Sequence, residues 1–123
     1  MTFVIEGVLP GLNDMVAACR KRYRGGASAY STLKKEVEMR IVMELRSQRI
    51  SPVRKYPVMM TYRWVEPNRR RDKSNIAAGG RKFIEDALVV AGILQGDGWK
   101  HIAGFTDEFA VDRRNPRVEV WFD

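Results

Sequence analysis

Between Lys55 and Pro67 the chain reads KYPVMMTYRWVEP, and its residue types repeat with a period of two. Tyr56, Val58, Met60, Tyr62 and Trp64 fall on one side, and Met59, Thr61, Arg63 and Val65 on the other. Only a β-strand places residues i and i+2 on one face, and a strand this long and aromatic needs a sheet around it. Upstream, from Ser28, the period changes to 3.6: Tyr30, Leu33, Val37, Ile41 and Leu45 make one stripe. The couples Glu36 with Arg40 and Arg40 with Glu44 lie on another face, and Ser51-Pro52 stops the helix. Downstream, NIAAGGRKFIEDALVVAG predicts a second helix, with Ile76, Phe83, Ala87 and Val90 inward and Gly92 as its stop. Within it, Gly79-Gly80 predicts a kink or a separate first turn, since each glycine costs ~1 kcal/mol relative to alanine inside a helix.

The remaining segments complete the outline. TFVIEGVLP, with Phe3, Ile5 and Val8 alternating, reads as a first strand. GLNDMVAACRKRYRGGAS reads as a connecting stretch with a mobile loop at Gly25-Gly26. Gly96-Asp97-Gly98 is a turn, and HIAGFTDEFAVD and RVEVWF are two strands that DRRNP would join as a hairpin. The expected order is β-α-β-α-β-β: an α+β fold, with a mixed sheet packed by two main helices. At 123 residues and 45% hydrophobic content, residues 1–123 suit a single domain with its own core.

Composition narrows the chemistry. Cys19 is the only cysteine and His101 the only histidine, which rules out an intrachain disulfide and a Cys/His zinc cluster and fits a reducing compartment. The opening MTFVIEGVLP has no basic segment leading into a long apolar one, and no window approaches the ~18 apolar residues of a membrane span. A soluble cytoplasmic protein without a membrane partner is expected. Net charge is +7 and unevenly spread. Residues 1–83 hold 18 Lys and Arg against 7 Asp and Glu, whereas residues 84–123 hold 4 against 8. RKRYR (Arg20, Lys21, Arg22, Arg24) and RRRDK (Arg69, Arg70, Arg71, Lys73) each place four cations in five residues. Such clusters suit a polyanion, although solvated charge runs look the same.

Asp72 stands directly behind three arginines, at a strand-to-helix junction where it or Ser74 can cap the helix. Asp97 lies at the end of the next element, where loops can bring it to Asp72. A Mg²⁺ ion takes oxygen ligands of this kind and can promote phosphodiester hydrolysis. Lys82 and Asp86, four apart on the second helix, are either a surface ion pair or part of that site, with Lys82 stabilising charge on a phosphate.

These residues carry a resemblance. RRRDKSNIAAGGRKFIEDALVVAGILQGDGWKHI, residues 69–102, resembles the RusA family of Holliday junction resolvases, including its small phage and prophage members. The shared pattern is an Arg-Asp-x-Asp-Asn junction, a helix ending in DAL…AG, and a further Asp in the following loop. GVLPGLND is similar to the family's opening LP…N stretch. The resemblance implies a small mixed α/β homodimer, encoded by bacteria or by phages in a bacterial host. It also implies symmetric cutting of four-way DNA junctions with Mg²⁺ or Mn²⁺, in recombination and repair. It makes Asp72 and Asp97 metal-binding catalytic carboxylates, Asn75 the motif asparagine and Arg71 the basic residue before the first carboxylate, and Lys82 best matches the family's essential lysine. Ser74 is the departure. It replaces the second aspartate with a hydroxyl that is a weak ligand and brings no charge, so Asp86 is the candidate substitute, and metal binding beside three arginines should weaken.

Three readings therefore stand side by side: a structure-selective endonuclease, a binder of branched DNA that does not cut, and a protein-interaction domain whose basic face is incidental. Asn75, Arg20, Lys21, Arg22 and Arg24 join Arg69, Arg70, Arg71 and Lys73 as candidate DNA contacts. Trp64 and Trp121 are expected in the core. Trp99 is expected to anchor its loop against the helix, with stacking on an unpaired base as the alternative.

Overall fold

The computed structural model describes residues 2–21 and 28–123. Its elements are β1 (Phe3–Glu6), α1 (Leu12–Cys19), α2 (Ala29–Ser47), β2 (Val58–Glu66), α3 (Lys73–Val90), β3 (Ile102–Val111) and β4 (Arg117–Phe122). The fold is α+β, as expected, with one mixed sheet in the order β1-β4-β2-β3. The alternating strand β2 is central: antiparallel to β4 on one side and parallel to β3 on the other. Val58, Met60, Tyr62 and Trp64 are buried, as are Phe3, Ile5, Val118 and Val120 from β1 and β4, and α2 and α3 close over this face.

Two expectations about connectivity change. Leu12–Cys19 is a helix rather than part of a loop; Asp14 turns its carboxylate back to accept from the Gly11 N–H at 2.8 Å. DRRNP does not close a hairpin, because β3 and β4 pair with opposite edges of β2. The crossover through α3 returns β3 parallel to β2, which leaves the other edge of β2 for β4.

Helix α2 begins at Ser28, whose hydroxyl accepts from the Ser31 N–H at 3.0 Å, and it buries Val37, Ile41 and Leu45. Its polar face does not form the expected ion pairs but caps an edge of the sheet. The Gln48 amide bonds both backbone groups of Val4 at 2.9 and 2.7 Å, Glu44 accepts from the Glu6 N–H at 3.1 Å, and Arg40 donates to the Glu6 carbonyl. Without such partners an edge strand leaves these groups open to pairing with another chain. The helix ends at Ser47, short of Ser51-Pro52, and Arg49 at φ 54° turns the chain away.

Helix α3 runs unbroken through Gly79-Gly80 instead of kinking. A Cβ on Gly79 would lie 2.5 Å from the Gly11 carbonyl carbon, and one on Gly80 would lie 2.5 Å from the Trp64 ring. Both glycines are thus the points where α3 touches α1 and the sheet most closely, and that packing offsets their poor helix propensity. Val90 faces solvent, and Ile84 and Leu88 fill the core beside Phe83 and Ala87. Val8 is exposed as well, and Trp121 is half-buried on the sheet face away from the helices. Among the described residues no helix is long and apolar enough to cross a membrane.

Candidate nucleic-acid and metal site

Strand β2 delivers the chain to the arginine run, and Asp72 becomes the N-cap of α3 with extended backbone (φ −68°, ψ 148°). Its carbonyl accepts from the Ile76 N–H at 3.1 Å, but its carboxylate makes no capping bond. Asp72, Lys73 and Ser74 are all exposed. With Asn68 and Arg69, Asp72 and Lys73 line an open cleft of about 540 Å³ beside β3. Arg69 and Arg70 are exposed and form no ion pair among the described residues, while Lys73 sits 5.5 Å above the Phe109 ring.

Arg71 behaves differently from its neighbours. Nε and Nη2 each donate to Glu66 at 2.9 Å, and Nη1 donates to the Leu9 carbonyl at 2.9 Å. Three of its N–H groups are thereby committed to a buried carboxylate and a distant loop, which makes it a brace rather than the free DNA contact expected of it. Asn75 is a brace too, since its Oδ1 accepts from the Asn13 N–H at 2.8 Å. The LPGLN stretch and the RDKSN stretch are therefore joined side by side, as the two ends of one piece of surface.

A second cluster lies further along α3. Lys82 follows Asp72 by ten residues, about 15 Å along the helix axis. Its Nζ is 3.0 Å from Asp86 Oδ1 and 3.0 Å from Asp97 Oδ2, and Lys34 of α2 stands 3.5 Å from the other Asp86 oxygen. The Lys82 hydrogen bond holds Asp97 below the usual carboxylate range, against a smaller opposing effect of burial. Asp97 first, and Asp86 second, push Lys82 above its ordinary value. Beside them Glu85 accepts from the Tyr62 hydroxyl at 2.9 Å, and burial pushes both groups up.

Lys82, Asp86 and Asp97 are thus brought to one point, whereas Asp72 and Ser74 stand at the head of the helix. Among the described residues no three His, Cys, Asp or Glu side chains converge on a metal position. Asp86 and Asp97 do fit a Mg²⁺ ion that takes one or two carboxylates and fills its shell with water and substrate phosphate. Both already point at a single cation, the Lys82 ammonium. Asp72 with Ser74 offers one charged donor beside exposed arginines and fits less well.

Other candidates fall elsewhere. Arg20 and Lys21 are exposed at the end of α1, and Arg22, Arg24 and Gly25-Gly26 lie outside the described residues. Trp99 does not anchor its loop: it is 99% exposed. The sequence reading missed Glu66, although it falls in the inward phase of β2 with Tyr62 and Trp64, where a charge needs a partner. It also missed the link between α3 and β3, in which Asp107 takes hydrogen bonds from Trp64 Nε1 at 2.9 Å and from Arg81, itself stacked on Phe105. No spacing in the sequence connects those residues. No protein-family model and no curated protein matches the chain.

Proposed function

We propose that the chain binds branched DNA, four-way junctions above all, and hydrolyses it as a metal-dependent, structure-selective endodeoxyribonuclease. The resemblance to the RusA resolvases suggests this activity, and a homodimer would place one site on each of two strands. The observation that supports it best is the meeting of Lys82, Asp86 and Asp97 at one surface point, with both carboxylates 3.0 Å from the same nitrogen. Exposed Arg69, Arg70 and Lys73 at the head of the same helix supply cations for the DNA backbone.

In this reading Asp97 and Asp86 hold Mg²⁺ or Mn²⁺, which supplies Lewis-acid neutralisation of charge on the phosphate. Lys82, paired with both carboxylates, holds its ammonium at the site, where it would stabilise negative charge developing on the phosphate. Lys34 steadies Asp86 from α2. A second reading, DNA binding without cutting, is favoured by the isolation of Asp72 from the other carboxylates and by Ser74 in the first turn.

Nicking of a labelled four-way junction in Mg²⁺ and in Mn²⁺ separates the two. Cutting by the parent chain and not by Asp97→Ala supports the nuclease. Tight junction binding by the parent chain, with no product in either metal, selects the binder. Absence of both binding and cutting removes the DNA reading altogether.

A further inference from the structure

We propose that Trp99 is a stacking platform for an unpaired nucleobase, with Arg54, Lys55 and Lys100 engaging the flanking phosphates. The inference rests on the DNA-binding reading above and adds to it the part of the substrate that this end of the molecule recognises.

A tryptophan is the largest apolar side chain available, and here it is 99% exposed. The backbone that carries it is well tied. The Gly98 carbonyl accepts from the N–H groups of both His101 and Ile102 at 3.0 Å, closing a turn around Trp99. Within the same loop, the Gln95 N–H donates to the Tyr56 hydroxyl at 3.0 Å, and Tyr56 packs edge-on against His101 at 5.1 Å. The Val53 N–H donates to the Ile93 carbonyl at 2.9 Å. Residues 51–57 are thereby laid against the loop that bears Trp99, which brings Arg54 and Lys55 to the same end of the molecule as Lys100. All three cations are exposed and form no ion pair among the described residues.

The surroundings decide what the ring is for. A protein-docking site surrounds its aromatic anchor with apolar neighbours and is depleted in lysine. Trp99 instead shares its end of the molecule with exposed charged and polar residues, namely Arg54, Lys55, Gln95 and Lys100. An aromatic face among cations is the arrangement by which proteins hold single-stranded nucleic acid: the base stacks and the phosphates find positive charge. In a fully paired duplex both faces of a base are already stacked, so this platform responds to the unpaired nucleotides of a branch point or a single strand. It lies in the loop after α3, two residues from the Asp97 that reaches Lys82, whereas Asp72, Arg69 and Arg70 lie at the head of the helix.

The test compares the parent chain with Trp99→Ala and Trp99→Phe. Affinities are measured for a labelled oligothymidylate, a fully paired duplex and a four-way junction, together with quenching of 2-aminopurine in a single strand. Because the ring touches nothing in the fold, neither substitution removes packing. Trp99→Ala is expected to weaken single-strand binding roughly 5- to 150-fold while leaving duplex binding within about twofold, since backbone cations carry that. Trp99→Phe falls between, and only the parent quenches 2-aminopurine strongly. Unchanged single-strand affinity for Trp99→Ala, with duplex or junction binding intact, overturns the platform and leaves the DNA-binding reading standing. Failure of the parent to bind any of the three DNAs overturns both. A change in sedimentation mass for Trp99→Ala, without a change in DNA affinity, marks the ring as a self-association contact and also overturns it.

Discussion

Asn75, at the head of α3, accepts a hydrogen bond from the backbone N–H of Asn13 at 2.8 Å, across 62 residues of chain. Four residues earlier Arg71 makes the parallel connection to the Leu9 carbonyl at 2.9 Å. Together they set the start of α1 against the start of α3, so the segment after β1 and the segment after β2 form one surface.

Asn75→Ala leaves the Asn13 N–H without its side-chain partner at the start of α1. Urea unfolding is expected to show a loss of about 1–2 kcal/mol. Asn75→Asp retains the acceptor oxygen and should recover most of it.

Gly79→Ala reverses the usual helix rule. In an open helix the change adds ~1 kcal/mol, but here the new Cβ meets the Gly11 backbone at 2.5 Å. Overpacking against a backbone that cannot rotate away is expected to cost about 1–3 kcal/mol. Ala78→Gly, one residue earlier and exposed, serves as the control and loses only the ordinary ~1 kcal/mol.

The three consecutive arginines separate by experiment. Arg71→Ala strands the Glu66 carboxylate in its buried position and is expected to destabilise the fold by about 3 kcal/mol. Arg69→Ala and Arg70→Ala should change stability by less than about 0.5 kcal/mol. Each should instead weaken DNA binding and lower the slope of affinity against salt by roughly one. A stability loss shared equally by all three would contradict the bracing geometry.

Burial raises Glu85 from its ordinary value of 4.5, so the folded state holds its proton to higher pH than the unfolded chain does. The cost of ionising Glu85 in place is absent below pH 4.5 and complete above its raised midpoint. Glu85→Gln keeps an oxygen for the Tyr62 hydroxyl and removes the charge. Unfolding at pH 7 is expected to find the variant at least as stable as the parent, with the difference shrinking toward pH 4.

Asp97 shows the opposite sign. Lys82 holds it below its ordinary 3.8, so the stabilisation it contributes is present above that value and disappears as pH falls through the lowered midpoint. Lys82, raised by Asp97 and Asp86, would lose its contribution only on the alkaline side of 10.5. Carboxyl NMR titration should place Asp97 below a normal aspartate in the parent and return it upward in Lys82→Ala.

The elements that the sequence by itself determined are those written in a single period. The alternation from Tyr56 to Trp64 could only be a sheet strand, and the stripe from Val37 to Leu45 could only be a helix face, because local geometry fixes which side chains share a side. The order of the strands and of the two long helices and the mixed sheet followed, though not the short helix Leu12–Cys19, as did the ion pair of Lys82 with Asp86, four residues apart. Tertiary structure decided the rest. Gly79 and Gly80 look like helix breakers until α1 and Trp64 arrive at 2.5 Å from where their Cβ atoms would be. Arg71 looks like Arg69 and Arg70 until Glu66 and Leu9 claim it. The partner of β4 is β2 and not β3, because pairing depends on which edges remain free once α3 has crossed over the sheet. Trp99 is open and Trp64 enclosed for the same reason: burial belongs to what packs around a residue, and that is set by segments remote in the chain.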